Sequence, residues 1–129
     1  MSKSDDAMAV YASACAHDGR GEEAEASPDY ERALALGLAR DERWQALLGL
    51  GSSLRNVGRH DESVRVLRAA VAEFPDQAAL RAFLALALHS HGEGREALVT
   101  LLDLTLQHAP IGPYARALGQ YRDLLARNG

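Results

Sequence analysis

The chain of 129 residues has one cysteine, Cys15, few aromatic side chains and no long apolar run. A single cysteine excludes an internal disulfide, so nothing in the sequence indicates an oxidising compartment. No stretch approaches the roughly 18 apolar residues of a membrane-spanning helix, and the first six residues lack the apolar core of a signal peptide. We therefore expect a soluble, cytoplasmic protein that has no membrane partner.

The sequence also has no excess of basic charge, because its 14 Lys and Arg residues are outnumbered by 18 Asp and Glu residues, which gives a net charge of -4. Non-specific binding to nucleic acid depends on neutralising phosphate charge, so we expect no nucleic-acid partner. Aromatic residues make up 5% of the chain while apolar residues make up 47%, and Ala and Leu are prominent among them. This composition favours close-packed helices over sheets.

Apolar spacing, together with glycine and proline, predicts an all-α protein of about seven helices. Residues 1–4 are predicted to be a flexible tail and residues 5–129 a single domain. Pro28 leaves two alternatives for the second helix: the helix kinks there, or a new helix starts with Ser27 as its N-cap. The predicted helices cover residues 5–18, 22–36, 41–57, 60–74, 77–91, 95–108 and 113–127.

A pattern of large, small and turn-forming residues recurs 34 positions later, from Leu47 to Arg81. The first copy contains Leu47, Leu50, Gly51, Leu54, Gly58, Ser63, Leu67 and Pro75. The second contains Arg81, Leu84, Ala85, Leu88, Gly92, Ala97, Leu101 and, one place late, Pro110. A degenerate copy upstream, shifted by 37 residues, aligns Gly21, Ala26, Tyr30 and Ala33 with Gly58, Ser63, Leu67 and Ala70. A fixed period of this length is typical of stacked helix-turn-helix units.

These motifs resemble the tetratricopeptide repeat, and the whole chain resembles small bacterial proteins with two or three such repeats. The resemblance implies antiparallel helix-turn-helix repeats stacked as a short right-handed α-solenoid. The implied units span about 7–40, 44–77 and 78–111, and a capping helix follows at 113–127. It also implies a non-enzymatic protein-protein interaction module that binds a peptide or helix of a partner on its concave face.

The first helix of each unit would line that concave face. The partner-binding residues predicted there are Met8, Tyr11, Gln45, Leu48, Ser52, Arg55, Ala82, Leu86 and His89, with Cys15 on the same face. Most of this groove is small or apolar, and Arg55 and His89 are its polar points. The basic carboxylate clamp known in the family is not implied, because its positions hold Tyr11, Cys15, Gly49, Ala79 and Phe83. A homodimer or larger homo-oligomer that buries the same face is the alternative.

Residues suited to catalysis or metal binding do not occur in usable patterns. His89 and His91 are two residues apart and point about 200° away from each other on a helix, so they cannot chelate one ion together. Acidic residues such as Glu22 and Asp61 stand at helix starts, where carboxylates cap backbone donors. The basic run of Arg55, Arg59, Arg65 and Arg68 is interpreted as a solvated, ion-paired face, with an acidic or phosphate partner as the alternative. We predict no enzyme activity, no metal and no cofactor.

The packing expected from the repeat can be stated residue by residue. Leu50, Leu54, Leu67 and Val71 should be deeply buried in the middle unit, and a neighbouring helix should approach Gly51 closely. The final helix is expected to turn Leu118, Tyr121 and Leu125 inward and to cover Leu98 and Leu102 of helix six.

Overall fold

The structure, a computed structural model, describes residues 2–109 and 112–127. Within these ranges the chain forms seven α-helices and no strand, and a short 3-10 turn, Gly112–Tyr114, precedes the last helix. The helices are α1 Lys3–Gly19, α2 Glu23–Leu36, α3 Arg40–Asn56, α4 His60–Glu73, α5 Ala78–Ser90, α6 Gly94–His108 and α7 Ala115–Arg127. The prediction of an all-α helical repeat is confirmed. Pro110, which closes the second copy of the pattern, lies outside the described residues.

The first helix begins at Lys3, two residues earlier than the sequence predicts. Ser2 is its N-cap: the Asp5 backbone N–H donates to Ser2 Oγ at 3.1 Å, and the Ser2 backbone N–H donates to Asp5 Oδ2 at 3.4 Å. This reciprocal arrangement is a capping box, which satisfies two backbone donors at the helix start. Lys3 and Ser4 therefore belong to α1 and not to the predicted tail.

The second helix continues through Pro28, so the alternative in which a new helix starts at Ser27 is wrong. Ser27 lies inside the helix, and its hydroxyl donates to the Glu23 carbonyl at 2.9 Å instead of capping a helix start. The proline lacks the N–H that would bond to the carbonyl of Ala24. Its ring is exposed, so it takes no place in the core.

The glycines of the repeat pattern form the same turn three times. Gly21, Gly58 and Gly92 adopt φ angles of 75°, 87° and 87°, a left-handed conformation that glycine adopts without steric cost. The residue after each glycine donates its backbone N–H to a carbonyl of the preceding helix five residues back, at 2.8, 2.9 and 2.8 Å. This bond satisfies an unpaired carbonyl at the helix end and fixes where the chain reverses. Each turn therefore sets the second helix of a unit antiparallel to the first.

Two layers of helices result from this repetition. The inner layer consists of α1, α3 and α5, which contact one another in order, and each packs against the outer helix that follows it: α2, α4 and α6. The outer helices α2 and α4 also contact the next inner helix, as expected of a stack in which each unit rests on its neighbour. Among the described elements, α7 contacts only α6 and the 3-10 turn, so it does not join the inner layer.

The middle unit contributes three deeply buried leucines to the core. Leu50, Leu54 and Leu67 are 5%, 1% and 0% exposed, as predicted. Val71 is only half-buried at the edge of the cluster that includes Leu67, so the expectation of deep burial there is wrong. A Cβ placed on Gly51 would lie 2.6 Å from Leu67 Cδ2, which confirms the predicted close approach of a neighbouring helix.

The last helix covers a different side of α6 from the one predicted. Leu98 is 52% exposed and Tyr121 is 62% exposed, so both expectations of burial are wrong, whereas Leu102 is half-buried. The reason is that α7 packs on the side of α6 that carries Asp103, whose carboxylate accepts from Arg122 Nε at 2.7 Å. The helical wheel places Leu98 on another side of α6.

Candidate functional site

The predicted binding residues lie in three parallel rows, one on each inner helix. On α3 they recur at spacings of three, four and three residues, on the side away from the core residues Leu50 and Leu54. The rows on α1 and α5 follow the same register, shifted by 37 and 34 residues. Because the inner helices contact one another in order, the rows lie side by side on one face. We call this surface the inner face; it consists of Met8, Tyr11, Gln45, Leu48, Ser52, Arg55, Ala82, Leu86 and His89.

Every residue of the inner face is at least partly accessible. Met8, Gln45, Leu86 and His89 are exposed, whereas Tyr11, Leu48, Ser52, Arg55 and Ala82 are half-buried. Cys15, which continues the α1 row, is exposed and has no disulfide partner. The large apolar side chains of Met8 and Leu86 are 43% and 46% exposed. The face therefore offers apolar contact area on α1 and α5, the first and last helices of the inner layer.

A hydrogen bond joins the first two rows of the inner face. Tyr11 Oη donates to Gln45 Oε1 at 3.4 Å, from α1 to α3. Partial burial, reinforced by Cys15 nearby, raises the pKa of Tyr11 to about 12, so the phenol keeps its proton at neutral pH and remains a donor. The Tyr11 ring also packs on Tyr30 of α2, with 6.3 Å between the ring centroids. The hydrogen bond thus joins the first two units at the inner face, whereas the ring contact packs α1 on α2 within the first unit.

Arg55 is the most distinctive group on the inner face. Its Nε is buried and has no hydrogen-bond partner, and its guanidinium forms no ion pair with any described residue. A buried N–H without an acceptor costs free energy, roughly 1–3 kcal/mol, which an acceptor on a ligand could recover. The guanidinium is also planar and presents its donors in a fork that matches a carboxylate.

The other arginines of the basic run have carboxylate partners. Arg59 pairs with Glu62, and Arg65 lies 3.8 Å from the Asp61 carboxylate within α4. The Arg68 guanidinium donates to Glu96 of α6 through both terminal nitrogens, at 2.6 and 3.0 Å. Arg55 is therefore the one member of this run without a carboxylate among the described residues.

A polar network around the first turn went unnoticed in the sequence. Tyr30 Oη donates to Asp18 Oδ2 at 2.7 Å, and Ser13 Oγ donates to Asp29 Oδ2 at 2.8 Å. Burial raises the pKa of Tyr30, and the bond to Asp18 raises it further. Asp18 stands 37 residues before Arg55, at the equivalent place in the first unit. The repeat register could have identified Asp18, but its bond to α2 depends on the fold.

Other candidate chemistry is not supported by the arrangement of side chains. Across residues 2–109 and 112–127, no three His, Cys, Asp or Glu side chains lie close enough to hold a metal ion together. A cleft of about 370 Å³ lies between α6 and α7, away from the inner face, and its lining mixes both signs of charge with apolar groups. The lining residues are Glu93, Arg95, Glu96, Val99, Leu125 and Ala126.

Repeated turns and paired layers of helices define a helical-repeat protein of the α-solenoid class. A family model described as a tetratrico peptide repeat matches residues 7–125, so the chain belongs to the tetratricopeptide repeat family. This repeat generally mediates protein-protein interaction. A comparison with curated proteins found no match. In the part of the chain that the structure describes, no helix has the length and apolarity needed to cross a membrane.

Proposed function

We propose that this protein is a non-enzymatic interaction module that binds a peptide or helix of a partner protein on its inner face. The supporting observation is the guanidinium of Arg55, which is half-buried on the inner face, has an unpartnered Nε and forms no ion pair with any described residue. A ligand that supplies an acidic or aromatic residue to Arg55 would satisfy or stack on this group.

The shape of the ligand follows from the apolar residues around Arg55. Leu48 and Ala82 are half-buried, so they can form the floor on which an apolar ligand side chain rests, while Met8 and Leu86 stand exposed at the two sides. An amphipathic helix or an extended peptide with one apolar anchor next to an acidic residue suits this arrangement.

The experiment is a binding measurement on a peptide library in which an acidic or aromatic residue is placed at varied distances from a leucine. We expect selected peptides to lose about 1–3 kcal/mol of binding free energy with Arg55→Ala, while the melting temperature does not fall, because the substitution also removes the unpartnered buried donor. Arg65→Ala is the matched control, because Arg65 is exposed on the outer helix α4. A variant that melts early yet binds the peptides normally would show that Arg55 is structural and would remove the proposal.

The alternative candidate is self-association through the same face, for which the exposed Met8 and Leu86 give support. In a two-fold pair of inner faces, however, Arg55 and His89 of one copy would meet a surface carrying the same groups. Two inner faces packed together would provide no carboxylate for Arg55, because the inner face contains no acidic residue. We therefore favour a ligand from another protein. A particle mass that falls to the monomer value in Arg55→Ala would favour self-association instead.

A further inference from the structure

The last repeat unit leaves exposed a surface that is covered in the unit before it. In the middle unit, Val64 and Leu67 of α4 are 6% and 0% exposed and share one apolar cluster with residues of α5, the next inner helix. The equivalent residues 34 positions later, Leu98 and Leu101 of α6, are 52% and 42% exposed. Among the described elements, no inner helix follows α6 in the way that α5 follows α4.

The final helix does not supply the missing cover. It contacts α6 but not α5, and Arg122 holds it on α6 through bonds to both carboxylate oxygens of Asp103, at 2.7 and 3.2 Å. Shifting α7 onto Leu98 and Leu101 would break this pair. None of the described helices of this chain therefore covers Leu98 and Leu101 as α5 covers Val64 and Leu67.

The final helix and the 3-10 turn before it carry an exposed apolar row, which we call the α7 row. Tyr114 is the last residue of the turn, and Ala117, Tyr121 and Leu124 follow on α7, at spacings of three, four and three residues. Tyr114, Tyr121 and Leu124 are 71%, 62% and 45% exposed. A row of this kind is what α5 presents to α4 in the middle unit, where Leu80 and Leu84 cluster with Val64 and Leu67.

Charge decides which partner suits these two rows. The α6 row comprises Gly94, Leu98, Leu101 and Thr105 and, like the α7 row, contains no charged residue. A surface that pairs with its own copy across a two-fold axis meets its own charges, so a neutral apolar surface can self-pair without repulsion. The inner face, which carries Arg55 and His89, lacks this property.

We propose that two copies of the chain pair about a two-fold axis through their C-terminal ends, with the α7 row of each copy lying on Leu98 and Leu101 of the other. This arrangement covers both exposed rows at once. It closes at two copies because the contact is reciprocal. Both inner faces stay open, so the dimer presents two copies of the proposed ligand-binding surface.

The test is a measurement of particle mass by sedimentation velocity over a concentration series. The wild-type chain is expected to reach twice its 13.9 kDa as concentration rises. Leu101→Glu and Tyr121→Lys should each raise the dimer dissociation constant at least about tenfold. Gln120→Lys is the matched control, because it adds the same charge to the same helix at an exposed position next to the row, and it should dimerise normally. Circular dichroism verifies that each variant is folded. We expect the variants to fold because the substituted side chains are partly exposed.

A mixture of the two charged variants tests the reciprocal arrangement itself. A mixed dimer contains one copy of each variant and has two contacts between the copies. One contact joins the native α7 row of the Leu101→Glu copy to the native α6 row of the Tyr121→Lys copy. The other contact places the introduced lysine against the introduced glutamate, so mixing should restore dimers. The proposal is overturned by a wild-type chain that stays monomeric, by a Leu101→Glu variant that still dimerises, or by a mixture that remains monomeric. Arg55→Ala should leave the dimer intact, so this test and the peptide-binding test fail independently of each other.

Discussion

Replacing Gly51 by alanine should destabilise the protein, although the same change normally stabilises a helix. Gly51 lies inside α3, and alanine is favoured over glycine in a helix interior by about 1 kcal/mol. The new Cβ, however, would lie 2.6 Å from Leu67 Cδ2, well inside van der Waals contact. Leu67 is fully buried, so it cannot move aside without displacing its own neighbours.

The expected magnitude follows from these two opposing effects. Overpacking a well-filled core costs about 1–3 kcal/mol, and the rigid surroundings of Leu67 place this site in the upper part of that range. After subtraction of the gain of about 1 kcal/mol from helix propensity, the net loss should be about 1–2 kcal/mol. Urea denaturation followed by far-UV circular dichroism measures this difference in the free energy of unfolding.

Two further variants isolate the cause. Gly119→Ala in α7 is the matched control, because a Cβ there meets no atom within 4 Å, and it should stabilise the protein by up to about 1 kcal/mol. In a background carrying Leu67→Ala, where the obstructing side chain is removed, Gly51→Ala should become stabilising by about 1 kcal/mol. If Gly51→Ala raises the stability of the otherwise wild-type chain, the close contact between α3 and α4 does not exist as described.

Leu50→Ala should cost about 2–5 kcal/mol by urea denaturation, and the half-buried Val71→Ala less than about 2 kcal/mol; equal losses would contradict the difference in their burial. Acid should also weaken the fold, because Arg43 and Arg68 hold the pKa of Glu73 and of Glu96 below the ordinary value of 4.5. A carboxylate whose pKa is lower in the folded chain than in the unfolded chain stabilises the fold at every pH above its unfolded pKa. The free energy of unfolding should therefore begin to fall near pH 4.5 and continue to fall as the pH drops through the lowered folded-state pKa of each carboxyl group. Glu96→Gln should cost less than about 1 kcal/mol at neutral pH, since the pair is largely exposed, and should flatten this acid dependence. An unchanged acid profile in this variant would show that the pair with Arg68 does not contribute.

Local signals in the sequence predicted the repeated turns and most helix bounds. Gly21 and Gly58 mark the turns because only glycine adopts their left-handed backbone at no steric cost, which holds whatever surrounds the turn. Two predicted helix starts differ by two residues: α1 begins at Lys3, where Ser2 bonds to the backbone of the first turn, and α7 begins at Ala115, after the 3-10 turn that contains Pro113. Inside α2, Ser27 bonds to the Glu23 carbonyl. Such bonds compete with simple propensity and are not visible in apolar spacing.

The position of α7 could not be predicted, because both sides of α6 offer apolar residues to it. Leu98 and Val99 are adjacent in sequence and differ by about 100° around the helix, so spacing alone does not choose between their sides. In the structure α7 lies on the Val99 side of α6, where Arg122 pairs with Asp103, a contact between residues 19 apart. For the inner face, the repeat register predicted where Arg55 lies, but its lack of a carboxylate follows from the positions of every neighbouring side chain.

The isolation of α7 has a consequence for how the fold opens. None of the described residues of α7 is fully buried, and the helix rests on one neighbour, whereas α3 is in contact with helices on both sides. In a linear stack, local unfolding is cheapest where an element has the fewest neighbours, so α7 detaches before the units behind it. Backbone amides would then exchange with solvent most readily at the C-terminal end and most slowly in α3 and α4. The chain thus has a gradient of local stability, and its most labile helix is the one that carries the exposed Tyr121 and Leu124.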